Sequence, residues 1–203
     1  MYPDLEILVE RYPQLAELKE EVELAYDILA SCYHNGSKVL LCGNGGSASD
    51  SDHIAGELLK GFRSKRRIEG AEKDRLGEEL ASQLQGSLPA IPLPSLSAVN
   101  TAFINDCDPD YVYAQLTYGL GKPGDVLIAI STSGNSPNVV HAAEVAKANG
   151  MKVISLTGRT GGKLKGLSDS CLNVPEDETF KIQELHLPIY HCLCLMLETK
   201  FFG

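Results

Sequence analysis

A glycine-rich turn followed by a histidine and a glutamate four residues apart carries the most chemistry in this sequence. The segment runs Gly43-Asn44-Gly45-Gly46-Ser47-Ala-Ser49-Asp-Ser-Asp-His53-Ile-Ala-Gly-Glu57. The apolar run before it, Val39 to Cys42, reads as a buried strand that the glycines break sharply. Ser47 and Ser49 are placed to cap a helix. Unpaired N–H groups at such a helix start, together with the helix dipole, attract an anion, phosphate above all. His53 and Glu57 then share one face of the same helix. One segment therefore offers a phosphate cradle and an acid/base or metal pair.

A second anion-binding candidate is Ser131-Thr132-Ser133-Gly134-Asn135-Ser136, which follows the strand-like run Val126–Ile130. Its hydroxyls and free backbone N–H groups can surround phosphate oxygens without fixed positive charge. The helix predicted after it has Ser136 at the N-cap, Pro137 at the first position and Gly150 just past the end. Near the C-terminus, Gln183, Glu184, His186 and His191 are polar entries in an apolar helical run. Gln183 and His191 are eight positions apart, about 80° around an ideal helix, so spacing alone leaves a shared site open.

These residues need a scaffold, and the apolar pattern supplies one. Five short runs, Val39–Cys42, Ala90–Leu93, Val126–Ile130, Val153–Leu156 and Cys171–Val174, alternate with helical patterns. Strands alternating with helices imply a mainly parallel five-stranded sheet covered on both faces, a three-layer α/β sandwich. Ligands gather at the carboxyl ends of such strands, where both candidate loops fall. An N-terminal helical arm is expected over about residues 1–36, divided at Pro13. A long closing helix is expected from Thr179 to Phe202, interrupted at Pro188. Residues Arg63 to Gln85 read as an insertion into an otherwise single domain spanning 1–203. It opens with a basic cluster (Lys60, Arg63, Lys65, Arg66, Arg67) and continues into a helix with Leu76, Leu80 and Leu84 at i, i+4, i+8. The segment is either a solvated charge run with a small packing helix or a lid whose Arg63 or neighbours meet an anionic substrate.

The 203 residues suit one domain with a sizeable core. A net charge of −9 excludes a general nucleic-acid binder, which needs clustered basic charge. No apolar run approaches a membrane span, and the first residues lack the basic and apolar regions of a signal peptide, so a cytoplasmic location is expected. The six cysteines form no disulfide-like framework and no C-x-x-C pair, and they read as reduced core thiols.

Four motifs in matching order resemble those of the sugar-isomerase (SIS) domain family, and within it the bacterial phosphoheptose isomerases. They are Gly43-Asn-Gly-Gly-Ser47, Ser131-Thr-Ser-Gly-Asn-Ser136, Leu156-Thr-Gly158 with Gly161-Gly-Lys163, and Ile182-Gln-Glu-Leu-His186. The resemblance implies the family's flavodoxin-like fold and a phosphosugar held by Asn44, Gly45, Gly46, Ser47, Ser131, Thr132, Ser133 and Ser136. It implies that Asn105 and Asp106 face substrate. It also implies a zinc site of His53, Glu57, Gln183 and His191, with Glu57 as catalytic base and His191 as acid, Gln183 serving substrate as well. A homotetramer with sites shared between subunits follows from the same resemblance. The expected reaction interconverts sedoheptulose 7-phosphate and D-glycero-D-manno-heptose 7-phosphate through an enediol. A noncatalytic phosphosugar sensor, or an isomerase or lyase for another sugar phosphate, is the alternative. Two departures, the insertion and Thr179-Phe-Lys-Ile182 where many isomerases carry an acidic residue followed by Arg, bear on the substrate more than on the reaction.

Overall fold

The computed structural model describes residues 2–203, which leaves only the first residue of the expected arm outside it. Five strands form one parallel sheet: β1 (Val39–Cys42), β2 (Ala90–Pro92), β3 (Val126–Ile130), β4 (Lys152–Thr157) and β5 (Ser170–Asn173). Their spatial order is β2-β1-β3-β4-β5. Each expected strand is present, displaced by at most a residue or two at its ends. Pairing accounts for one displacement, because Lys152 joins β4 opposite Val126 despite its polar side chain.

Side chains alternate across the sheet and build two cores. Val39 and Leu41 face the layer of α1 (Pro3–Arg11), α2 (Lys19–His34), α3 (Gly46–Leu59) and α9 (Thr179–Phe202). Leu40 and Cys42 face the opposite layer, which includes α7 (Val112–Leu120) and α8 (Pro137–Ala148). Every residue of β1 and β3 is buried, as a parallel sheet covered on both faces requires. The chain leaves β1 for β2 on one side and returns to β3 on the other. The gap between the carboxyl ends of β1 and β3 is therefore the switch point at which ligands bind in this topology.

Three local expectations are corrected. Pro188 does not interrupt the closing helix, since α9 runs unbroken through it and buries it. The insertion holds two short helices, α4 (Gly70–Leu76) and α5 (Glu78–Gln83), separated by Gly77 at φ +84°. That break takes Leu76, Leu80 and Leu84 off a common helix, and Leu80 and Leu84 are exposed. Cys107 is exposed, whereas the other five thiols are buried. The remaining short helix, α6 (Ser97–Asp106), buries no residue.

Arg66 is the one member of the basic cluster that enters the core. Its Nε donates to Glu198 Oε1 at 2.7 Å, and both side chains are almost wholly buried. Its other nitrogens donate to the carbonyls of Leu58 and Glu57, capping the C-terminal end of α3. Glu198 also accepts the backbone N–H groups of Phe62, Arg63 and Ser64. Burial alone would raise that carboxyl, but these donors and Arg66 outweigh it and hold it below its ordinary range.

Candidate active site

Two helix starts converge at the switch point. Helix α3 begins directly after β1 with Gly45 at the N-cap, φ +54°, so Ser47 lies inside the first turn rather than capping it. Ser47 is buried, and its carbonyl accepts the Ser51 hydroxyl at 3.0 Å. Helix α8 has Ser136 at the N-cap and Pro137 at its first position, as the sequence predicts. Ser136 Oγ does not bond to its own helix. It pairs with Ser131 Oγ at 2.9 Å, and Ser133 Oγ lies 3.5 Å from Ser131 Oγ. The serines thus form a hydroxyl cluster above β3, and Thr132 holds the next loop by accepting the Gly158 N–H.

The two loops are fastened together by a contact the sequence does not announce. Asn44 and Asn138, in the first turn of α8, exchange two amide hydrogen bonds of 2.9 Å each. Asn138 thereby belongs to the site, although motif reading marks it only as part of a helix start. Gln183 borders the same loop: a Cβ built on Gly46 would stand 2.6 Å from Gln183 Nε2. Glycine at 46 is needed for that close approach.

The second cluster lies further along α3 and α9. His53 Nε2 is 3.3 Å from Glu57 Oε1 and 3.3 Å from His191 Nε2. The Phe62 ring leans on His191 with centroids 5.2 Å apart. Glu57 Oε2 is buried without a hydrogen-bond partner, its nearest cation being Lys60 Nζ at 3.6 Å. Desolvation lowers the His191 pKa, the neighbouring His53 adds to this, and Glu57 opposes it. The two imidazoles and the carboxylate are ligand types that zinc takes, but among the described residues of one chain no three such side chains are arranged to hold a metal ion.

The structure divides the four expected metal residues. His53, Glu57 and His191 meet, but Gln183 lies at the glycine loop, and eight helical residues separate it from His191 by about 12 Å. Within one chain Gln183 is a neighbour of the phosphate cradle, not a fourth donor. Asn105 and Asp106 close α6 on the surface, where Asn105 Nδ2 donates to Asp106 Oδ1 at 2.8 Å. Among the described residues, neither side chain bonds to the two loops. Arg63 pairs with Asp4 at 2.9 Å rather than with either loop of the cradle, and its side chain is largely exposed. His186 is fully buried, donates to or accepts nothing from the site, and lies 3.2 Å from the Thr157 carbonyl.

Comparison with known proteins agrees with this architecture. The sequence profile of the SIS domain matches residues 8–74 and 77–158. The chain belongs to the SIS domain family. The SIS match is strongest in meaning where it is most specific, among phosphoheptose isomerases. That of Helicobacter pylori is 42% identical over 187 residues, covering 92% of this chain and 88% of that protein. That of Nitratiruptor is 41% identical over 185 residues, covering 91% and 89%. The solved phosphoheptose isomerase of Francisella tularensis superposes with a TM-score of 0.79 at 34% identity, covering 93% of this chain and 91% of that one. The SIS fold also occurs in the Vibrio vulnificus NanR protein, solved with ManNAc-6P, at 16% identity and TM-score 0.58, covering 97% of this chain and 60% of that one. The fold by itself therefore does not separate enzymes from other phosphosugar-binding proteins.

Proposed function

We propose that the chain is an aldose–ketose isomerase interconverting sedoheptulose 7-phosphate and D-glycero-D-manno-heptose 7-phosphate. The observation that carries this reading is the meeting of Glu57 with His53 and His191, in a chain that retains both phosphate-binding helix starts. A noncatalytic binder needs the cradle alone. Isomerisation also needs a base and an acid near the carbonyl.

In the ketose-to-aldose direction, Glu57 removes a proton from C1 while His191 gives one to the C2 oxygen, leaving an enediol. Return of the carbon-bound proton to C2 and loss of the O1 proton to His191 complete the aldose. Two hydrogens are redistributed, and no oxidant is required. The unpartnered Glu57 Oε2 is the oxygen free to act as base. The residues that would hold zinc are His53 and, when they are not carrying protons, Glu57 and His191; when bound, the ion would polarise the carbonyl and stabilise oxyanion charge, and it would be loosely held or displaced as substrate binds.

Geometry within one chain favours a shared site. Gly46 and Glu57 lie eleven residues apart on α3, about 16 Å along the axis, further than a heptose 7-phosphate reaches from phosphate to carbonyl. The cradle, with its Gln183, and the Glu57 cluster therefore come from different copies in a homo-oligomer, for which a tetramer is the proposed form. Light scattering that finds a monomer at working concentration would sink the shared site. A phosphosugar substrate and six unpaired thiols fit the cytoplasm, and no helix among the described residues is long and apolar enough to cross a membrane.

The deciding experiment incubates the protein with sedoheptulose 7-phosphate and follows aldoheptose phosphate, with Glu57→Gln as control. Turnover that falls about 10²–10⁴-fold in the variant supports the isomerase. Equal binding and no turnover in either protein would shift the weight to a sensor.

A further inference from the structure

His53 faces the Glu57 cluster through one ring nitrogen and is held from behind through the other. Its Nδ1 lies 3.0 Å from the Tyr190 hydroxyl. That hydroxyl donates to Asp50 Oδ1 at 3.1 Å. Asp50 and His53 are three residues apart on α3, so helical geometry brings both to the same phenol oxygen. The Tyr190 ring is 2% exposed and stands edge-on to His53 and to His191, with centroids 5.4 and 5.0 Å away. Asp50 Oδ2 is buried without a partner, which makes Tyr190 the one side-chain donor to this carboxylate among the described residues.

Counting protons assigns a direction to this line. A phenol has one proton, and the Tyr190 hydroxyl is the donor in its bond to Asp50 Oδ1. The Tyr190 proton therefore points to Asp50, and the phenol oxygen is left to accept from His53 Nδ1–H. A neutral imidazole protonated at Nδ1 carries its lone pair on Nε2, the atom that faces Glu57 and His191. We infer that Asp50 and Tyr190 are positioning residues that hold His53 in the Nδ1–H tautomer and so present the Nε2 lone pair to a divalent cation. The inference rests on the zinc reading of the site. Histidine ligands generally depend on such a partner behind the ring, which fixes both tautomer and orientation. Here the partner is a phenol, with the carboxylate one bond further back. Without it, nothing bonded to Nδ1 would select the ligating form of His53, and the proton could sit on Nε2 and block the lone pair.

The test compares the wild type with Tyr190→Phe, Asp50→Asn and the double variant. Tyr190→Phe keeps the ring and its packing and removes only the hydroxyl. Zinc affinity of the chelator-stripped proteins is measured by competition with a chromophoric chelator. The tautomer is read independently from nitrogen-15 spectra of histidine-labelled, zinc-free protein. The wild type is expected to show His53 protonated at Nδ1 and bare at Nε2. Tyr190→Phe is expected to lose that preference and to bind zinc about 10–100-fold more weakly. Asp50→Asn should move both readings in the same direction, and the double variant should be no worse than the larger single, because the two act in one line. A Tyr190→Phe protein with wild-type tautomer and affinity overturns the inference. If that variant fails to fold, Asp50→Asn decides, with unchanged tautomer overturning the inference. A wild type that binds no zinc removes the metal reading, while the nitrogen spectra still decide whether the line sets the tautomer.

Discussion

Asn44 and Asn138 exchange a reciprocal pair of 2.9 Å amide hydrogen bonds across the gap between β1 and β3. The pair sets the distance between two helix starts that would otherwise be joined only through the sheet. Asn138→Ala should leave the fold intact but loosen that spacing. Two lost neutral hydrogen bonds correspond to about a tenfold rise in KM for the phosphosugar, with a smaller change in kcat. An unchanged KM would show that the sheet alone fixes the cradle.

Gly46→Ala tests the approach of Gln183. The added methyl overlaps the Gln183 amide, which is the far end of a flexible side chain and can swing away. Thermal stability should therefore drop only slightly, while phosphosugar binding weakens. Adding Gln183→Ala should restore the lost stability, and failure to do so would place the strain elsewhere.

The Arg66–Glu198 pair should be costly to break from either side. Arg66→Met leaves a buried carboxylate and uncaps α3 directly behind Glu57. Loss of one partner of a buried pair costs about 3–5 kcal/mol, which urea unfolding resolves. Glu198→Gln should be of similar size, because it strands the guanidinium. An effect below about 1 kcal/mol would mean that the pair behaves as a surface bridge.

His186 should make the protein sensitive to acid. Burial lowers its pKa to about 4, with the Thr157 hydrogen bond opposing. The unfolded chain, titrating near 6.5, binds more protons between these values, so stability is full above about pH 6.5 and falls as pH drops towards 4. A shift of this size corresponds to about 3 kcal/mol. His186→Gln keeps a donor for Thr157 and does not titrate, so urea unfolding at pH 7 and pH 5 should show a flatter dependence in that variant.

The strands were legible because a strand buried on both faces must be an apolar run, and a turn-forming residue (Gly43, Pro92, Gly158 or Pro175) or the serine loop after Ile130 closes each one. The α8 start was legible for the same local reason: Ser136 and Pro137 have backbone preferences that need no partner. Contacts between distant elements were not legible. Tyr190 reads as one more apolar position in α9, and nothing near it in sequence shows that its hydroxyl meets Asp50 and His53 on another helix. The four residues expected at a metal illustrate a second limit. Residue types match a pattern, but the rise of α9 sets Gln183 and His191 about 12 Å apart along its axis. The insertion misled through its leucines, because a single Gly77 divides a spacing that a continuous helix would have kept.

The segment 67–85 leaves the body of the domain and returns to it at nearly one point. Gly86 N–H donates to the Arg66 carbonyl at 2.7 Å, and Gly61 N–H to the Gln85 side chain at 2.8 Å. Its root is thus latched by the Arg66 that also anchors α3, while its own helices touch little of the core. Loop-closure entropy grows only slowly with length, so the segment between the latches is free to lengthen, shrink or be exchanged at small energetic cost. Residues 67–85 can therefore take substitutions or changes of length as an appendage while the sheet and the site beneath keep their geometry.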